Sequence, residues 1–402
     1  MSKPFKASDV FKPGTIPGTT YVSRQSDGHL SYEQRLHEAL ETPGFLTSIV
    51  GPSTSGKTVL CEKVIPRDQM VLLSSTNFRN EDDFWTVIAR QLGLPTEMEA
   101  GDEPVNVHPE IKGTPGPSTS QSWSKDRVID VCLSRNLIVV LDDFHCIAKE
   151  RQMRIAHQLR DAIAHEMKVV VISLPHRSDE SIRENPDFSG RISVIHVEPW
   201  SSSDLAQIPT KGFQTLGVEI SADMAMRLAE ESLASPQLAQ NICLVLARVI
   251  GVDNSSQVDA IHSNESLVDA FRRTTLNTPY GDVVKIIQAG PPRRGQDRLR
   301  YRMGDNSVDI YTLILAAMAK DPPRFTMSME GLHEKIEDIV RGSGRLNRNK
   351  IREAMRQIQT LLKERGCLYQ VIEWTYEELH VLDPKFLFYL RWFPQFSFYT
   401  QG

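Results

Sequence analysis

Gly51-Pro52-Ser53-Thr54-Ser55-Gly56-Lys57-Thr58 stands between the apolar run Phe45–Val50 and the helix-like stretch Val59–Ile65. The octet has the G-x-x-x-x-G-K-[ST] spacing, in the strand-before, helix-after setting where that spacing binds phosphate. Glycines let the backbone turn its N–H groups into a concave anion receptor backed by a helix N-terminus, and a lysine there has a phosphate to neutralise. The residues expected to touch a nucleotide are Gly51, Pro52, Ser53, Thr54, Ser55, Gly56, Lys57, Thr58 and Val59.

Such a loop needs a magnesium ligand at the end of a neighbouring buried strand. Leu137-Ile138-Val139-Val140-Leu141 is too apolar to be half exposed, and Asp142-Asp143 arrive where it ends. Taken alone, the acidic pair also reads as a strand-end turn or a helix cap. Beside the phosphate loop it reads as a Walker B element. Mg²⁺ takes a few carboxylate or hydroxyl oxygens together with phosphates, so the Thr58 hydroxyl is the expected direct ligand and Asp142 a ligand through water. Asp143 then stands where a general base polarises the attacking water, and being shorter than glutamate it implies slow turnover. His145 reads either as a phosphate sensor or as a core histidine satisfied by backbone.

The chain has 402 residues, more than one typical core, with 40% hydrophobic and 24% charged residues and a net charge of −5. That is an ordinary soluble composition, and it points to two or three domains. Cys61, Cys132, Cys146, Cys243 and Cys367 are odd in number and lack a Cys-x-x-Cys spacing. Reduced thiols in a cytoplasm are expected, without a disulfide frame or a zinc site. The N-terminus leads into no apolar core, and no apolar stretch is long enough to span a membrane.

Short apolar segments rich in β-branched residues fall at Phe45–Val50, Met70–Ser74, Leu137–Leu141, Lys168–Ser173 and Ser193–Val197, with helical stretches between them. This alternation predicts an α/β core, a P-loop parallel sheet with helices on both faces. Residues 1–20 read as an extended arm and 21–200 as the core, with a flexible insertion over 94–125 that carries Pro95, Pro104, Pro109, Pro115 and Pro117. Residues 201–250 repeat apolar positions at three and four and predict an all-α lid. The arginine-rich, polar stretch 251–304 reads as a linker or partner-facing segment.

Residues 305–402 hold three helical patterns, Tyr311–Ala319, Glu330–Val340 and Asn349–Arg365, followed by strand-like Leu368–Glu373 and His380–Leu382. Together they suggest a winged helix-turn-helix. Residues 341–365 contain eight basic side chains against Glu353 and Glu364. Arg348, Arg352, Arg356 and Lys363 offer a basic face that contacts DNA phosphates, faces solvent, or meets a neighbouring protein domain. The aromatics Phe386, Phe388, Tyr389 and Trp392 are expected in the core; those after Pro394 (Phe396, Phe398, Tyr399) form a candidate docking strip.

In the order of these signals, residues 20–250 resemble the AAA+-like and STAND P-loop ATPases, including the origin-recognition and transposition-regulator branches. Tyr21-Val22-Ser23-Arg24 is similar to the upstream signature that lines the base, with Ser23 for its glycine, and implies Arg24 at the nucleotide. The strand ending at Ser173 matches the sensor strand; His176 and Arg177 are substitutes for it. Asp187-Phe188-Ser189-Gly190-Arg191 is similar to the element that ends AAA+ cores. By that match Arg191 is an arginine finger for a neighbour or a phosphate sensor in its own chain; a surface salt bridge is the alternative. Ala234-Ser235-Pro236 resembles the lid Gly-x-Pro whose proline packs on adenine, and it also reads as a plain helix start.

The expected activity is a slow ATP-hydrolysing switch that uses ATP/ADP and Mg²⁺ and couples its nucleotide state to a separate effector or to self-association. By resemblance its setting is bacterial defence or mobile elements. The competing expectations are a DNA-loading ATPase that recruits a transposase or helicase, and a nucleotide-stapled scaffold that does not turn over.

Overall fold

The computed structural model describes residues 5–26, 29–78, 83–94, 125–174, 188–252, 260–261, 263–276, 278–292, 295, 298–340, 346–365 and 371–393. Most of the insertion, His176, Arg177, Asp187, Cys367 and the aromatics after Pro394 lie outside these residues. The described chain packs as two units. One holds 23–52 and 56–198; the other holds 1–22, the three loop residues Ser53–Ser55, and everything from Pro199 on.

In the first unit, the apolar runs become five strands: β1 (Leu46–Val50), β2 (Met70–Ser74), β3 (Ile138–Asp142), β4 (Lys168–Ser173) and β5 (Ile192–His196). They lie in the order β2-β3-β4-β1-β5, all parallel. Strands buried on both faces need no alternation, which is why they read as continuous apolar runs. Neighbouring residues in the strands serve opposite layers. Val139, Leu141, Val169 and Val171 pack with helices Phe84–Gln91, Lys125–Ser134 and Lys149–Ala164. Ile138, Val140, Val170 and Ile172 pack with Tyr32–Leu40 and Lys57–Val64. The expected sheet with helices on both faces is therefore present. One expectation changes: β3 does not neighbour β1, because β4 lies between them.

The second unit is helical around one continuous apolar cluster. Helices Ser202–Thr215, Ala222–Glu231 and Pro236–Val249 follow the sheet, and all three start on serine caps, Ser201, Ser221 and Ser235. Residues 251–304 are not a linker: they contain helices Asn264–Leu276 and Tyr280–Ala289, which bury Leu267, Phe271, Val283, Val284 and Ile287. Many arginines around them hid this apolar spacing. Toward the C-terminus come Ile310–Ala319, Met329–Ile339, Arg348–Glu364 and Pro384–Trp392. A three-stranded antiparallel sheet accompanies them, in which Glu378–Val381 lies between Thr326–Ser328 and Ile372–Thr375. Phe386, Phe388, Tyr389 and Trp392 are buried, as expected of core residues.

Residues 5–20, the described part of the expected arm, are not extended either. Ala7–Val10 is a helical turn, and Phe11 is buried against Phe213 with ring centroids 5.1 Å apart. The Gln240 side chain ties this segment down, accepting from the Lys12 N–H and donating to the Thr20 hydroxyl. Gly212 makes the close approach possible, since a Cβ there would fall 2.1 Å from Phe11 Cε1. Gly212→Ala is expected to cost about 1–3 kcal/mol through overpacking and to expose the N-terminal segment. Chymotrypsin cleavage after Phe11, buried in the parent, should accelerate at least several-fold; an unchanged rate would refute this account of the glycine.

Candidate functional site

The loop leaves β1 at the edge where all five parallel strands end, and that edge is where open α/β sheets bind ligands. Gly51 N–H donates to Ser173 O at 3.3 Å, and Val197 N–H donates to Val50 O at 2.7 Å. The loop is thus rooted between the ends of β4 and β5. Gly56 caps helix Lys57–Val64 with φ +92°, a conformation glycine takes without strain. The first residue of that helix is Lys57, only 8% exposed. Its ammonium donates to Gly51 O at 2.9 Å and to Pro52 O at 2.6 Å. Burial lowers the ammonium from its ordinary value to about 8, against the pull of Asp142 and Asp143.

Across the intervening β4, Thr58 and Asp142 nevertheless meet: the Thr58 hydroxyl donates to Asp142 Oδ2 at 2.7 Å. Burial raises the Asp142 pKa, while the Thr58 hydrogen bond opposes the rise. Asp143 has φ +51°, and its N–H donates to Asp142 Oδ1 at 2.9 Å. The turn that follows is clamped by buried Gln152, whose amide donates to Phe144 O and Ile147 O. Sequence reading missed Gln152, because a clamp on backbone carbonyls leaves no residue pattern. His145 keeps Nδ1 buried.

Whether these residues fit a magnesium nucleotide can be judged from their chemistry. A hydroxyl and a carboxylate in contact form the hard-oxygen pair Mg²⁺ accepts. Thr54 Oγ1 and Ser55 Oγ are buried in the loop without hydrogen-bond partners in the described structure. With a buried ammonium two residues on, they make a donor set suited to phosphate oxygens.

The remaining predicted residues divide. Ser173 ends β4 beside the loop and is buried. Arg24 lies beside the end of β5, donating to Glu198 O at 3.0 Å and sitting over the Tyr32 ring. Arg191 is exposed and precedes β5; its carbonyl accepts from Leu46 N–H. It therefore occupies the opposite edge of the sheet, a strand length from its own chain's loop, and the reading of Arg191 as a sensor within its own chain is corrected. A cavity of about 500 Å³ at that edge, lined by Pro43, Thr47, Glu166 and Lys168 among others, contains no motif residue. Pro236 opens its helix behind the Ser235 cap, and Ala234 has φ +56°, the left-handed conformation its counterpart glycine would adopt freely.

In the C-terminal basic helix, Arg352 is held by Glu377 through two hydrogen bonds of 2.6 and 2.7 Å. Arg348 pairs with Glu330 at 3.2 Å. Arg356 and Lys363 are exposed. Two of the four cations proposed to meet DNA thus already have acidic partners.

No family model matches the chain, and no curated protein does. Among solved structures, a Walker-type ATPase of Pyrococcus abyssi aligns with a TM-score of 0.50 at 13% identity, over 89% of this chain and 94% of that one. The ORC2 protein of Aeropyrum pernix in ADPNP–ADP complexes gives 0.49 at 14% identity, over 96% and 98%. The ORC1 protein of the same organism in complex with DNA gives 0.45 at 12% identity, over 97% of each chain. The chain shares the fold of that Walker-type ATPase, a five-stranded parallel sheet followed by helices.

Proposed function

We propose that the chain is a magnesium-dependent ATP-binding switch that hydrolyses ATP slowly. The observation that carries this reading is the contact between Thr58 and Asp142, made beside a buried lysine at the mouth of a glycine-capped helix. In this reading Lys57 neutralises the terminal phosphates, and Thr58 with Asp142 holds Mg²⁺, which shields phosphate charge when bound. Asp143 orients the attacking water; its short side chain and its tether to Asp142 favour slow turnover. Ser173 and Arg24 border the nucleotide in the same reading. The division into a core over 21–200, a lid over 201–250 and a winged-helix domain from 305 belongs to the same reading.

A switch does work only through a difference in nucleotide affinity between two arrangements. The output is assigned to a partner protein or a second copy of the chain, with Arg191 supplied to a neighbour. DNA contact through the basic helix that carries Arg356 and Lys363 is the weaker alternative, because Glu377 and Glu330 engage Arg352 and Arg348.

Calorimetric titration with ATP and Mg²⁺ tests the reading, and its pH dependence is specific. Phosphate keeps Lys57 protonated, whereas in the free chain the ammonium loses its proton above about pH 8. The bound state therefore holds a proton that the free state has released. Affinity is expected to be flat below pH 8 and to weaken about tenfold per pH unit above it. Absence of ATP binding at pH 7 would remove the proposed function; a flat profile to pH 10 would remove Lys57 from it.

A further inference from the structure

The tip of the phosphate loop is held by a side chain that no motif marks. The Trp200 indole N–H donates to Ser55 O at 2.8 Å, and Trp200 immediately precedes Ser201, the cap of helix Ser202–Thr215. Three local costs gather in Ser55, which it holds, and in the preceding Thr54. Thr54 has φ +59°, which for a β-branched residue is a strained backbone. Thr54 Oγ1 and Ser55 Oγ are both buried without a hydrogen-bond partner in the described structure, and each such hydroxyl carries an unrecovered desolvation cost. Strain and unmet hydrogen bonds persist where surrounding structure enforces them, and at binding sites they signal a conformation prepared for a ligand.

The geometry of one peptide explains how the enforcement works. In a trans peptide the carbonyl and the following N–H point in opposite directions. Fixing Ser55 O against the indole therefore fixes the direction of the Gly56 N–H, one of the donors an anion meets at the N-terminus of helix Lys57–Val64. We infer that Trp200 is a positioning residue that sets the loop tip so that the Thr54 and Ser55 hydroxyls donate to the β- and γ-phosphates of a nucleoside triphosphate. The inference rests on the nucleotide-binding reading above and adds to it how polyphosphates are told from monophosphates.

The test measures affinity for ATP, ADP and AMP with Mg²⁺, together with thermal midpoints, for the full chain and for Trp200→Phe, Thr54→Val, Thr54→Ser and Lys57→Met. Phenylalanine keeps the ring and removes the donor; valine keeps the shape of threonine and removes the hydroxyl. Trp200→Phe and Thr54→Val should each weaken ATP and ADP about tenfold, the loss of roughly one hydrogen bond to a charged group. AMP affinity and the thermal midpoints should stay as in the parent, and Thr54→Ser should restore ATP binding. Unchanged ATP affinity in Trp200→Phe overturns the inference while leaving the nucleotide reading intact. Equal losses for ATP and AMP, or a loss that follows the thermal midpoint, also overturn it by reducing Trp200 to a packing residue. If the parent chain binds ATP no better than Lys57→Met, the nucleotide reading fails and the inference falls with it.

Discussion

Lys57→Met is expected to abolish ATP binding and to make the nucleotide-free protein more stable. Both effects follow from one buried ammonium. Removing the charge proposed to meet the phosphates should weaken ATP at least a hundredfold, as expected when a strong charge-assisted contact is lost from a dry site. In the free chain the same charge is unfavourable. Its pKa is lowered from 10.5 to about 8, so burial outweighs the attraction of Asp142 and Asp143. Below pH 8 the lysine is charged in both folded and unfolded chains, and the folded chain carries the whole penalty, on the order of 3 kcal/mol. Methionine fills the space without it. The carbonyls of Gly51 and Pro52 lose a donor, which returns part of the gain, leaving a net stabilisation of about 1–2 kcal/mol. The advantage should shrink as pH rises from about 8 to 10.5, where wild-type Lys57 sheds its proton on folding. A denaturant titration of both proteins at pH 7 and pH 10 checks this, and a destabilised Lys57→Met at pH 7 would contradict it.

Glu231→Ala should produce the largest loss of stability in the helical unit. Glu231, at the end of helix Ala222–Glu231, accepts from Arg391 at 2.9 Å and from the Trp392 indole at 2.7 Å. Arg391 is 6% exposed, and its other acidic partner is Asp321. Removing the glutamate leaves a buried guanidinium half paired and an indole N–H without its acceptor, for which about 3–5 kcal/mol is expected. The double variant Glu231→Ala, Arg391→Met should recover much of that, since replacing both partners of a buried pair with apolar groups is often nearly neutral. Urea unfolding of the two single variants and the double one gives the coupling energy. Strictly additive losses would show that the pair does not act as a unit.

The two halves of the molecule were not equally legible. Strands β1 to β5 fall within one residue of their sequence-based limits, because a strand buried on both faces is a bare apolar run between turn residues. Lys57, Thr58 and Asp142 stand out in the sequence because a G-x-x-x-x-G-K-[ST] spacing and acids ending an apolar run are residue patterns, and the structure brings Thr58 and Asp142 into contact at 2.7 Å. Trp200 and Gln152 were not: both hold backbone carbonyls, which every residue has, so no spacing betrays them. Arg191 was recognised as a residue type but not located, since a sequence does not say which edge of a sheet a loop occupies. The three-residue strands Tyr301–Met303, Asn306–Val308 and Thr326–Ser328 are too short to show alternation. Helix Tyr280–Ala289 carries a readable pattern in Val283, Val284 and Ile287, but averaging it with Arg298, Arg300 and Arg302 made the segment look polar.

Phe11 packs on Phe213, more than two hundred residues downstream, in a cluster that extends to Trp392. A ribosome adding about 5–20 residues per second reaches residue 213 some ten to forty seconds after residue 11. During that interval the sheet can assemble from residues 23 to 198, while the opening segment waits with an apolar ring in water. The segment around Phe11, made long before its partner, is thus among the last parts of this chain to settle, and a chaperone that shields Phe11 until Phe213 is available would shorten the period in which the nascent chain is prone to aggregate.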